Sequence, residues 1–152
     1  MDQAVLKRLK NAGLLSEQVP DLGFVSTGNY ALNKIISGDY NRGIPIGMIT
    51  QFHGESSTAK TVFATHILKE AQARGYYSIL VDSENAYNPE FAESLGLDPK
   101  KLIYSAPETL EESFQVIEDT ILAIRETDKD TPIVAAYDSI AGSPSKAEYE
   151  AE

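Results

Sequence analysis

Apolar residues in this chain switch between helical spacing and short unbroken runs, and that pattern sets out its elements. Over 3–15, Val5, Leu6, Leu9, Ala12 and Leu15 fall on one helical face with charges opposite. Pro20, Asp21 and Gly23 separate this amphipathic helix from the rest of the chain, so it can pack on the domain or on a neighbouring subunit. Ser26-Thr27-Gly28 predicts the opening of a second helix, with Leu32, Ile35 and Ile36 on its apolar stripe and Gly38 as its stop. A loop bearing Gly and Pro occupies 39–47.

Strands and helices then alternate. The spacing predicts a strand over 48–52, a helix over 60–74 ended by Gly75, and a β-rich run over 77–81. A short helix over 89–95 has Pro at its first turn and Gly96 past its end. A strand over 102–104 precedes a helix over 110–125, with Phe114, Ile117, Ile121 and Ile124 on one face. A buried strand over 133–137 ends at Asp138-Ser139. Such alternation predicts an α/β fold, a mainly parallel sheet flanked by helices on both faces. We divide the chain into an N-terminal helix and linker, 1–23, and a core, 24–152. No internal repeat or low-complexity segment is visible.

Length and composition narrow the class. At 152 residues the chain is one domain, large enough for a sheet with several helices. Hydrophobic residues make up 42% and charged residues 24%, an ordinary globular mixture. The absence of Cys removes disulfides and thiolate metal sites and suits a reducing compartment. No apolar stretch approaches the roughly 20 residues that cross a bilayer. Lys7, Arg8 and Lys10 are not followed by the apolar run of a signal peptide, so a cytoplasmic location is expected. The net charge of −10 opposes binding to nucleic-acid phosphates unless a basic patch overcomes it. The thirteen Lys and Arg residues are scattered, with Lys7-Arg8 and Lys100-Lys101 the adjacent pairs.

The candidate chemistry lies at strand ends, where ligands bind in open α/β sheets. His53-Gly54-Glu55-Ser56-Ser57-Thr58-Ala59-Lys60-Thr61 reads as a phosphate-binding loop between a strand and a helix. In such a loop main-chain N–H groups curl around nucleotide phosphates, a Lys adds charge, and the next hydroxyl holds Mg²⁺. Lys60 and Thr61 stand where that requires them, but Ala59 occupies a Gly position. A Cβ where positive φ is needed costs on the order of 1 kcal/mol. Asp138, closing an apolar strand, has the form of a carboxylate that places Mg²⁺ and its waters. Glu84, after another strand, can orient or deprotonate an attacking water. Each has a plainer explanation: the loop string arises as an ordinary turn, Asp138 as a cap, Glu84 as a solvated carboxylate. Their joint occurrence, in order and each at a strand end, argues for the site. His53 and His66 lack a second ligand at useful spacing and read as structural or exposed.

These residues resemble the N-terminal half of the RecA/phage recombinase family of DNA strand-exchange ATPases, over roughly 25–152. Val25-Ser26-Thr27-Gly28 with Leu32 resembles the lead-in to the ATPase core, and 54–61 resembles the Walker A loop. Val81-Asp82-Ser83-Glu84-Asn85-Ala86-Tyr87-Asn88-Pro89 resembles the segment of the catalytic Glu. Tyr137-Asp138-Ser139-Ile140 resembles Walker B, and 144–152 the Pro-Lys-Ala-Glu tail after it. The resemblance implies ATP and Mg²⁺ as cofactors, held by Gly54, Glu55, Ser56, Ser57, Thr58, Ala59, Lys60 and Thr61. It implies Thr61 and Asp138 at the metal and Glu84 polarising the water. Phe91 takes the place of an aromatic ring on adenine, where bacterial members carry Tyr. Asn88 takes the place of an acidic adenine contact.

The departures matter as much. Ala59 replaces the family Gly, and the chain ends at Glu152, where the first DNA-binding loop of the family begins. The expected fold is therefore a RecA-type core cut after the Walker B strand, with the DNA contacts in the part not present. The N-terminal segment is shorter than the bacterial helix-plus-strand that joins protomers. The expected function is the ATP-binding core of a recombinase acting in recombination and repair, by ATP-dependent filaments on single-stranded DNA, with weak or no hydrolysis alone. Expected partners are copies of itself or a full-length recombinase, and no membrane. A rival is a short non-catalytic paralogue or split-gene half that pairs with a full recombinase and modulates it. A third reading, another RecA-fold ATPase such as a helicase or clock-type kinase, is opposed by Glu84-Asn85-Ala86.

Overall fold

A computed structural model of the chain describes residues 3–12 and 22–151. The amphipathic N-terminal pattern forms α1 (Gln3–Asn11), with Val5 exposed, whereas Leu15, Pro20 and Asp21 lie outside the described residues. A small antiparallel pair comes next, β1 (Phe24–Val25) with β2 (Ile44–Pro45), enclosing α2 (Tyr30–Ser37). The expected loop over 39–47 thus carries a two-residue strand.

The α2 region corrects the expected stripe. Its N-cap is Asn29, whose side chain accepts the Leu32 N–H, rather than a residue of Ser26-Thr27-Gly28. Ile35 is exposed, and the residue buried on this helix is Asn33. Asn33 Oδ1 accepts the Thr27 N–H at 2.8 Å and the Thr27 hydroxyl at 2.7 Å, while Nδ2 donates to Ser26 Oγ and the Tyr40 carbonyl. A buried amide that finds all these partners holds the helix better than apolar contact could at this edge. Gly43 belongs to the same knot: a Cβ there would lie 2.3 Å from the Val25 carbonyl oxygen. Gly38 closes α2 at φ 77°, as expected of the stop.

The core is a three-stranded parallel sheet, order β4-β3-β5, from β3 (Tyr77–Asp82), β4 (Leu102–Ser105) and β5 (Ile133–Asp138). In register, Ser78 faces Leu102 on one side and Val134 on the other, and Asp82 faces Asp138. Side-chain alternation along β3 divides the core between two faces. Ile79 and Val81 pack with Ile124, Ile117 and Ile121 of α5 (Leu110–Thr127). Leu80 turns the other way, onto Leu68 of α3 (Lys60–Ala73), Ala92 of α4 (Pro89–Ser94) and Leu97. Each such fully buried aliphatic residue contributes roughly 1.5–3 kcal/mol. Helices therefore cover both faces, as the alternation of elements predicts. Phe114, expected on the buried face of α5, is half exposed and meets Tyr137 edge-on at 5.8 Å.

The expected strand over 48–52 is absent. These residues run as irregular chain, and Ile49 is fully exposed. An extended segment counts as a strand only when a ladder satisfies its amides, and here the outer edge of β5 has no partner among the described residues. Phe52 is drawn inward, toward Val25, Ile67 and Ala71. After β5 the chain makes a single turn of 3₁₀ helix over 140–142 and a short α6 (Lys146–Tyr149). Among the described residues no helix is long and apolar enough to cross a membrane.

Candidate functional site

Two segments at carboxyl ends of strands, after β3 and β5, meet the loop that leads into α3. The loop 54–59 leads into α3, and Lys60 is the first helical residue. Gly54, Glu55, Ser56, Ser57, Thr58 and Ala59 are all exposed. Ser57 and Ala59 both have left-handed backbone, φ 63° and 66°. The Ala59 Cβ thus stands in the conformation that makes Gly the usual choice, at a cost of about 1–2 kcal/mol. The loop is braced from inside: Lys60 Nζ donates to the Gly54 and Glu55 carbonyls at 3.1 and 2.7 Å, and the Thr58 hydroxyl to the Glu55 carbonyl at 2.8 Å. The main-chain N–H groups of Glu55, Ser56 and Ser57 make no hydrogen bond among the described residues. Exposed amides beside an ammonium at a helix N-terminus suit an anion.

Thr61, one residue into the helix, donates its hydroxyl to Asp138 Oδ2 at 2.5 Å. This contact bridges 77 positions of sequence and fixes the loop against the tip of β5. Hydroxyl and carboxylate oxygens are the donors a hard cation such as Mg²⁺ takes. No cluster of three His, Asp or Glu side chains that could hold a metal exists among the described residues. A cation here would rest on two protein oxygens, with water or ligand oxygens completing its shell, which is the usual habit of Mg²⁺. The Asp138–Ser139 peptide is cis.

The third segment follows β3. Asp82, 4% exposed, organises it: Oδ1 accepts the Glu84 N–H at 3.2 Å, and Oδ2 accepts the Tyr87 N–H at 2.8 Å and the Tyr104 hydroxyl at 3.2 Å. Asn85 is left-handed at φ 53°, so the loop turns sharply and presents Glu84 to solvent. Burial, the Asp82 charge and its hydrogen bond raise the Tyr104 phenol above its usual pKa, and burial alone raises Tyr87. The Tyr87 and Tyr104 rings stack at 5.0 Å. Glu84 Oε1 accepts the Ser139 hydroxyl at 2.9 Å, which brings the acid of β3 to the tip of β5.

The structure thus brings together Lys60, Thr61, Asp138 and Glu84. Asn88 and Phe91 follow the Glu84 loop at the start of α4: Asn88 caps α4 by accepting the Phe91 N–H at 3.0 Å, and Phe91 is 49% exposed. The Asn88 side-chain oxygen is therefore engaged in the cap. His53 is exposed, and His66 packs half-buried near Gly28, its Nδ1 buried without a hydrogen-bond partner. The sequence pattern set Asp82 and Ser139 at the suggestive strand ends but gave neither a role of its own. An acid closing an apolar strand was already the signal used for Asp138, and it applies equally to Asp82.

Comparison with known proteins gives the family. A model of the RecA N-terminal domain matches residues 8–152. The chain belongs to the RecA family. It is 35% identical to Protein RecA of Lactobacillus acidophilus over 158 aligned residues, covering 100% of this chain and 41% of that protein. The corresponding figures for Protein RecA of Chlorobium chlorochromatii are 34% identity, 84% of this chain and 34% of the relative. For Protein RecA of Lactobacillus delbrueckii they are 35%, 99% and 45%. The chain spans between about a third and under a half of the RecA relatives it matches. Its α/β core, with a parallel sheet flanked by helices, fits the N-terminal part of a RecA-type core.

Proposed function

We propose that this chain carries the nucleotide pocket of a RecA-type recombinase and binds Mg·ATP across the loop 54–61. The observation that carries this reading is the Thr61–Asp138 contact, with the Glu84 carboxylate joined to the same strand tip through Ser139. In this reading the free amides of the loop and the Lys60 ammonium take the β- and γ-phosphates. The Thr61 hydroxyl and Asp138 stand at the Mg²⁺ ion, whose charge would offset that developing on the phosphoryl oxygens. Phe91 offers an exposed ring for adenine, and Asn88 a side-chain amide beside it. Glu84 polarises the attacking water. In the assembled family, ATP between protomers supports a filament on single-stranded DNA that acts in recombination and repair. The charge of −10 makes this chain a poor direct contact for DNA.

Hydrolysis by the chain alone is expected to be weak, because a neighbouring protomer completes the family site. Calorimetric titration with Mg·ATP tests the pocket itself: the expected result is heat of binding with a thermal upshift. No heat and no upshift would sink the reading. A second reading draws on the outer edge of β5, which has no partner among the described residues, and on the full exposure of Ile49. An open edge accepts a further strand from another polypeptide, so the chain would pair with a full-length recombinase and modulate its filaments. Co-purification tests that pairing, and loss of the effect in Lys60→Ala would separate nucleotide-dependent partnering from simple capping.

A further inference from the structure

Glu84 is exposed, and the hydrogen bond that reaches its carboxylate comes from across the sheet, from the Ser139 hydroxyl to Oε1. Ser139 is itself held on every side. Its Oγ accepts the Gly142 N–H at 3.2 Å as the cap of the turn over 140–142. Ser83 brackets its main chain: Ser83 Oγ donates to the Ser139 carbonyl at 2.9 Å, and the Ser139 N–H donates to Ser83 Oγ at 3.1 Å. Gly142 closes the remaining side, since a Cβ there would lie 3.2 Å from both Glu84 Cγ and Glu84 Oε1. The backbone of Gly142 does not have positive φ. Packing against Glu84, rather than turn geometry, is what calls for a residue without a side chain.

The geometry points to Ser139 as the positioning residue for Glu84, with the bare Cα of Gly142 as the wall that keeps the carboxylate against it. This rests on Glu84 being the group that polarises the attacking water. A hydroxyl donated to Oε1 leaves Oε2 as the free acceptor and restrains the direction of the carboxylate. An exposed glutamate without that bond samples several rotamers, and a misplacement of about 1 Å can cost on the order of 100-fold in rate. Thr at 139 retains the hydroxyl and Ala removes it. Ala at 142 keeps the backbone but pushes on the end of a flexible side chain, so the carboxylate moves while the fold does not.

Ser139→Ala, Ser139→Thr and Gly142→Ala are to be compared with the parent chain by three measurements. These are calorimetric Mg·ATP titration, single-turnover phosphate release, and the carbon-13 carboxyl resonance of Glu84 at fixed pH without nucleotide. Ser139→Ala is expected to move the resonance and slow phosphate release roughly 10-fold, with the affinity within about twofold. Ser139→Thr is expected to restore both, and Gly142→Ala to slow release with the thermal midpoint unchanged. A parental resonance in Ser139→Ala overturns the proposal, as does parental phosphate release beside a moved resonance. If release by the parent is too slow to detect, the resonance and its rescue by Thr decide. A parent chain that binds no Mg·ATP would instead refute the nucleotide reading, a result separate from either.

Discussion

The loop after β3 and the loop before α3 meet around the tip of β5, yet they are held by opposite means. In the β3 loop a buried anion sits at the centre: Asp82 gathers two main-chain N–H groups and a phenol, and stacked Tyr87 and Tyr104 seal it. In the loop 54–59 a cation sits at the centre, and Lys60 gathers two carbonyls while neighbouring amides point to no acceptor. One loop meets its charge with its own neutral donors and is complete. The other has its donors in surplus and two left-handed residues to hold in place. On the proposed reading, the surplus donors of the second loop would be met by an external anion, the phosphates of the nucleotide.

Removing the cation should break this contrast most. Lys60→Ala is expected to weaken Mg·ATP by at least about 100-fold, roughly 2.7 kcal/mol, with little change in thermal midpoint. Calorimetry that returned the parent affinity would mean the loop does not use its ammonium. Next comes the anion: Asp82→Ala takes the acceptor from the Glu84 and Tyr87 N–H groups, leaves the Tyr104 hydroxyl to Asn85, and should cost about 2 kcal/mol, read as a lower urea midpoint at unchanged slope. A midpoint equal to the parent would show that the β3 loop is not organised from Asp82. Ala59→Gly relieves left-handed strain of about 1–2 kcal/mol, partly offset by the added freedom of the unfolded chain. A net gain below about 1 kcal/mol and equal or tighter Mg·ATP binding are expected, and a drop in both would place the strain elsewhere.

The smallest effect probes a second turn built around a carboxylate. Asp128 has its pKa lowered to about 2 by hydrogen bonds from Thr131, with further bonds from the Asp130 N–H and the Tyr77 hydroxyl. Because its folded pKa lies below the unfolded one, its stabilisation is complete above about pH 4 and is lost as the pH falls toward about 2. Asp128→Asn should flatten the acid-side loss of stability in that window. Identical acid curves for variant and parent would remove this turn from the account.

Most of the core was legible because period and burial agree there. β3 reads as a run of apolar residues since helices cover both its faces, and α3, α4 and α5 carry caps or stops that match their ends. The order of the three strand-end motifs was legible for the same reason: each closes an apolar run. What the pattern missed was polar. Asn33 outweighs the apolar stripe of α2 because four polar groups of Ser26, Thr27 and Tyr40 surround it, and polar partners in the flanking loops leave no apolar periodicity. The run over 48–52 has strand composition without a ladder, and pairing is a property of the neighbour rather than of the run. Ser139 was hidden likewise, since its contact with Glu84 spans 55 positions.

Among the described residues β5 is bonded along one edge only, while β3 is bonded along both. Asp138 stands at the last residue of that outer strand. Its aim is therefore set less by the sheet than by two stitches, Thr61 from the helix and the Ser83–Ser139 exchange from the strand beside it. The acid that faces the loop behaves as a moored group, free to swing once either mooring is cut.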